Sequence, residues 1–295
     1  MKLLFQLLAN GVVTGVMFAL LAVGFGLVYR SVRVFHIAFA ALLVMACYGF
    51  LLAVTWGQLP IWLGMLVGIA VAGLSGWGIE RGLYRPFCVR KAGSGVVMVA
   101  SLGVLVMIEN LFAIAFGDET RAIPRQVALL VEIGPVQLTS IQILQVTVGG
   151  TVLSGFALAT RHVLLFKAIW AMGDQPDLVP VLGMPLMRYR TAVFVLSAML
   201  GALPGCLISL DVGMNPHMGM SYLLVAAVAV LAGGLDRYKG WIVGGFVLAI
   251  LQSLVVWKMS AKWMDLATFG VLLLVLMFRP QGILGIRKRL EETTG

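Results

Sequence analysis

Long apolar runs alternate with short charged ones along most of this chain. A bilayer core of about 30 Å is crossed by about 20 apolar helical residues. By that ruler the pattern predicts helical spans near 5–29, 34–55, 60–80, 95–117, 139–160, 191–212, 221–235, 241–257 and 264–279. The seventh is short, so it either crosses with help from its neighbours or re-enters. The first run extends to about Tyr29 and contains Asn10, Gly11 and Gly15. It is longer than the apolar region of a secretory signal, about 7–15 residues, so it reads as a retained span.

The polar intervals then orient the chain. If all nine runs cross, one side collects 16 basic residues, among them Arg30, Arg33, Arg81, Arg85, Arg190 and Arg287 to Arg289. The other side collects 5: Lys2, Arg121, Arg125, Lys258 and Lys262. Cytoplasmic loops carry the basic excess, which predicts the N-terminus outside and the C-terminus inside. A re-entrant seventh run would reverse the basic tail, and the charge bias opposes that. The fold expected is an all-α polytopic transmembrane bundle of about eight to nine spans, one domain over 1–295. Its largest cytoplasmic element is a loop of about 161–190. The outer interval of about 118–138 is nearly neutral and reads as a loop.

Composition agrees. Of 295 residues, 61% are hydrophobic and only 11% charged, against about 25% charged in soluble domains. A soluble core of this length could not hide that apolar surface. The 35 glycines suit close helix approach in lipid, with Gly11 and Gly15, Gly64 and Gly68, and Gly240, Gly244 and Gly245 as small-residue faces. The net charge of +9 is confined to short intervals without interleaved aromatics, which argues for contact with membrane lipid rather than nucleic acid. Cys47, Cys88 and Cys206 have neither disulfide-framework nor metal spacing. No Gly-Lys pair exists to build a phosphate loop, and no HExxH or GxSxG stretch occurs. No enzyme activity, metal or cofactor is therefore expected. If ATP drives the protein, partner subunits hydrolyse it.

Four stretches carry a resemblance. They are Asn10-Gly11 through Val28-Tyr29; Glu80-Arg81-Gly82-Leu83-Tyr84-Arg85-Pro86 followed by Ser101-Leu102-Gly103 and Glu109-Asn110; Lys167 to Gly183; and Asn215-Pro216 through Gly233-Gly234 and Gly244-Gly245 to Arg279-Pro280-Gln281-Gly282. In that order they resemble the membrane subunits of ABC importers for branched-chain amino acids, over essentially the whole chain. The resemblance implies a permease subunit in the bacterial inner membrane. Its partners would be a second homologous permease, two cytoplasmic ABC ATPases and an extracytoplasmic binding protein. One departure stands out: where such subunits carry Asn-Phe-Ala-His-Gly-Glu, this chain has His36-Ile37-Ala38-Phe39-Ala40-Ala41. The cargo is then a branched-chain amino acid or a similar small amphipathic solute, with urea, short amides or other small carboxylates as alternatives. An ion-driven secondary transporter is the competing class.

Individual residues were assigned on that basis. For ATPase coupling, Asp174 reads as a helix cap with Pro176 in the first turn. Leu178, Val181 and Leu182 form an apolar patch and Gly183 the stop, although Pro180 falls inside. Glu109 is the acidic residue deep in a span, either meeting a solute ammonium or bonded structurally to Asn110 or a neighbouring helix. Asn10 and Thr14 share one helix face and either join helices or touch solute. The same choice applies to Gln252 and Ser253. His36 is expected at the interface with a wet tip.

Overall fold

In hydrocarbon every backbone N–H and C=O must find its partner within the segment, so apolar runs of this length become helices whatever their propensities. A computed structural model describes residues 2–123, 129–134, 136–174, 185–279 and 281–284. All nine predicted runs are helical. The helices are α1 (Lys2–Val32), α2 (Ala38–Thr55), α3 (Ile61–Ile79), α4 (Arg85–Val89), α5 (Ser94–Phe116), α6 (Ser140–His162), α7 (Leu164–Asp174), α8 (Leu186–Val212), α9 (Met218–Gly233), α10 (Tyr238–Lys258) and α11 (Met264–Phe278). Among the described residues, seven segments are long and apolar enough to cross a membrane; α9 and α11, at 16 and 15 residues, are shorter apolar helices.

α1 is the central rod. Its middle is buried from Gly15 to Val28, and it packs on α8, α9 and α10. Small residues set the approach of α10: a Cβ on Gly245 would lie 2.6 Å from the Ala19 amide nitrogen, and Gly26 lies under the Trp241 ring. Gly11 faces Ser253 and Gly26 faces Trp241, so the two helices run antiparallel. Gly64 and Gly68 meet α2 in the same way, and Gly240 and Gly244 meet α9. α3, α5 and α11 form the periphery, where Leu74, Met107, Ile114 and Leu273 are exposed. Such side chains need a hydrocarbon surround.

The two ends of the bundle differ. At one end, β1 (Leu130–Ile133) and β2 (Val136–Thr139) form an antiparallel hairpin with Gly134 at φ 61°. The interval read as a loop, 118–138, thus contains two short paired strands. Gln6 holds the hairpin to α1 with two hydrogen bonds to the Gln137 backbone. Thr139 and Gln142 then form a reciprocal capping box that starts α6. At the other end, which holds Arg30, Ile283 and Leu284 donate backbone N–H groups to the Ala232 and Gly233 carbonyls and so cap α9. Residues 282–284 thus lie at the Arg30 end and the start of α1 at the hairpin end.

Between α3 and α4 the chain makes a π turn, Glu80–Tyr84, closed by Arg85 N–H to the Glu80 carbonyl. Pro86 supplies the reason: it has no N–H, and its ring would strike the carbonyl four residues back. A widened turn opens that space.

Candidate functional site

At the hairpin end, α1, α6, α8, α9, α10 and α11 enclose a cavity of about 600 Å³. Asn10 and Thr14 both line it, and Val13, Met17, Phe18 and Val225 supply apolar wall. Its amides are already half committed. Asn10 Oδ1 accepts from Gln6, and Gln142 Oε1 accepts from the Thr139 amide. Each keeps its NH2 unengaged among the described residues. Gln145 and Gln252 are the reverse. Gln145 Nε2 donates to the Leu207 carbonyl, and Gln252 Nε2 donates to Thr268 Oγ1, whose own hydroxyl is spent on the Met264 carbonyl. Their side-chain oxygens are left over, and Gln252 Oε1 is buried with no partner among the described residues. Free amide donors therefore come from α1 and the start of α6, and free acceptors from the next turn of α6 and from α10. Asp211 and Asp265 add carboxylates, and no Lys, Arg or His is among the lining residues.

The structure does not bring the other two pathway residues here. Asn110 is exposed on α5 and donates to the Val106 carbonyl. Glu109 is 13% exposed and lies 3.6 Å from His217 Nδ1, while His217 Nε2 lies 3.3 Å from Asp118. That cluster joins α5 to the start of α9, and Glu109 and Asn110 are absent from the cavity lining.

The Glu-Arg-x-x-Tyr-Arg-Pro stretch builds a buried polar joint at the Arg30 end. The π turn sets Glu80 and Tyr84 against α8. Glu80 accepts from Thr191 Oγ1 at 2.9 Å and lies 3.6 Å from Arg190 Nε. Tyr84 stacks on Phe194 and makes a 2.6 Å hydrogen bond with His36 Nδ1. His36 is 0% exposed, which corrects the expectation of a wet tip: the chain doubles back after α1 and carries the ring under Phe39 and Phe194.

Burial holds the His36 imidazole down at about 3, because the charged form loses its hydration. Between pH 6.5 and 3 the unfolded chain binds a proton that the folded chain refuses. This histidine therefore lowers stability by about 1.4 kcal/mol per pH unit as pH falls through that window, and contributes no slope above it. Thermal unfolding in detergent at pH 7.5, 6 and 5 is expected to show a shallower acid loss for His36→Gln than for the unaltered chain. Parallel curves would refute the assignment.

Of the coupling residues, Pro176, Leu178, Val181, Leu182 and Gly183 lie outside the described residues. Asp174 is described. It is the last residue of α7 and forms an ion pair with Arg30. Ahead of the expected coupling segment, Phe166, Ile169 and Met172 give α7 the buried stripe that seats it. Sequence reasoning also passed over Gln142, Gln145, Glu80 and Arg190. Two glutamines three residues apart on an apolar helix were the available signal.

Comparison with known proteins adds the following. Residues 7–277 match the family described as the branched-chain amino acid transport system permease component. The chain is 26% identical over 294 residues to the high-affinity branched-chain amino acid transport system permease protein LivH of Escherichia coli, covering 95% of each. It is 27% identical to the corresponding BraD protein of Pseudomonas aeruginosa, again over 95% of each. Among solved structures, PsaBC from Streptococcus pneumoniae in complex with Fab shares the fold, with TM-score 0.52, 15% identity and coverage of 92% of this chain and 91% of that one.

Proposed function

The chain belongs to the branched-chain amino acid transport permease family, a family of multi-pass membrane transport subunits, and from that premise we propose that it is the permease subunit of an ATP-driven importer. It lies in the bacterial inner membrane with the hairpin end outside and the Arg30 end in the cytoplasm, an orientation that the basic excess supports. A binding protein delivers solute at the hairpin end, a second permease completes the pathway, and two ATPases act at the cytoplasmic end. The default cargo is a branched-chain amino acid.

The cavity carries this reading. An aliphatic amino acid needs hydrogen-bond donors for its carboxylate, acceptors for its ammonium and an apolar wall for its side chain. Asn10 and Gln142 offer the first, Gln145 and Gln252 the second, and Val13, Met17 and Val225 the third. A free carboxylate without an ammonium would leave the Gln145 and Gln252 acceptors unmatched. The geometry therefore favours amino acids over simple acids within the range of cargo left open by sequence.

A lost hydrogen bond to a charged group costs about 1.5 kcal/mol, roughly tenfold in affinity. Asn10→Leu and Gln252→Leu are each expected to raise the half-saturating leucine concentration of the assembled importer about tenfold, with the maximal rate retained. Asn110→Ala is expected to change neither. Unchanged saturation in both cavity variants would remove the cavity from the pathway. Glu109, 13% exposed and 3.6 Å from His217, favours a second reading, a carrier driven by protons, because such carriers hold a titratable group at depth.

A further inference from the structure

Arg30 closes α1 with a side chain only 4% exposed. Its Nη2 donates to Asp174 at the end of α7, and its Nε lies 3.9 Å from Asp236 in the turn between α9 and α10. Nε and Nη1 have no hydrogen-bond partner among the described residues. The contact with α7 is tight. A Cβ on Gly173 would come within 2.5 Å of the Arg30 carbonyl oxygen, and Arg33 Nη2 donates to the Gly173 carbonyl at 3.4 Å. The carboxyl end of α7, which carries partial negative charge, is thus seated on Arg30 of α1 and on Arg33 just past its end. A buried guanidinium with idle donors is costly, and well-packed apolar groups often serve a static joint better.

Three elements meet at this one side chain, and two of them run on to the cavity. α1 continues without a break from Arg30 to Thr14 and Asn10, about 24–30 Å at 1.5 Å per residue. The turn holding Asp236 leads into α10, which carries Gln252 to the cavity wall. Gly245 on Ala19 and Gly26 under Trp241 interlock α1 and α10, so the two helices cannot slide independently. On its other side α7 presents Leu164, Lys167 and Ala171 to solvent.

We infer that Arg30 is a positioning residue that fastens α7 to α1 and to the α9–α10 turn, so that displacement of α7 by a cytoplasmic partner reaches the cavity walls along α1 and α10. The inference rests on the importer reading above.

The test uses the complete importer in liposomes: this chain, its partner permease, both ATPases and the binding protein, with leucine as probe. Uptake and ATP hydrolysis are measured together. Asp174→Asn alters a half-exposed side chain and spares the fold; Arg30→Gln is the stronger change. Both are expected to keep complex yield and ATP hydrolysis while uptake falls at least tenfold, so that ATP hydrolysed per leucine rises at least tenfold. Arg30→Lys, which keeps the charge, is expected to restore a substantial part of the uptake. If uptake and hydrolysis fall in step with complex yield, or if uptake is unchanged, the inference is overturned. Absence of ATP-dependent uptake in the unaltered importer would instead overturn the importer reading, and this inference with it.

Discussion

Glu80→Ala is expected to leave little folded protein in the membrane. The carboxylate is 1% exposed, holds the Thr191 hydroxyl and faces Arg190, which is itself 11% exposed. Removing one partner of a buried pair leaves an uncompensated charge, a loss of about 3–5 kcal/mol. Total stabilities are only about 5–15 kcal/mol. The damage would also spread, because Arg190 donates to the Tyr84 carbonyl and lies over the Phe194 ring on which Tyr84 stacks. Glu80→Gln keeps an acceptor for Thr191 and is expected to cost much less. The monodisperse fraction after detergent extraction, and its unfolding temperature, report both variants. An unfolding temperature unchanged by Glu80→Ala would show that the pair bears no structural load.

Gly244→Leu should be comparably damaging for a different reason. A Cβ there would lie 2.1 Å from the Ala229 carbonyl oxygen and 3.2 Å from Gly233 Cα, both backbone atoms. Flexible side chains can turn aside, but two helices in backbone contact can only separate. Overpacking costs about 1–3 kcal/mol where side chains yield, and a larger loss is expected here. Separation would also shift the α9–α10 turn that carries Asp236. Gly103→Leu, at an α5 glycine with nothing within 4 Å of its Cβ position, is the matched control and is expected to be tolerated in the isolated chain. Equal unfolding temperatures for the two variants would contradict the packing argument.

How much of this was legible beforehand follows from which forces act on each element. The spans were readable because hydrocarbon imposes helix on any apolar run, and glycine faces such as Gly240 and Gly244 announced close contact. The hairpin was missed although Val131-Glu132-Ile133 and Val136-Gln137-Leu138 alternate around Gly134, because strands of four residues give a weak periodic signal. The cap assigned to Asp174 follows from local rules for an acidic residue before Pro176, whereas its ion pair with Arg30 is a tertiary contact that no local rule shows. His36 looked wet because the doubling back of the 33–37 connector cannot be read from composition. The cavity was half visible: Asn10 and Thr14 share a face, but their meeting with Gln145 and Gln252 depends on how α1, α6 and α10 assemble.

The central claim is that this chain conducts solute while partners supply the energy. Radiolabelled leucine uptake into liposomes tests it most directly, comparing the purified chain alone under an imposed proton gradient with the complete set of permeases, ATPases and binding protein supplied with ATP. Accumulation only in the complete set, abolished when ATP is omitted, is the predicted result. Gradient-driven accumulation by the chain alone would contradict it and would turn attention to Glu109, His217 and Asp118.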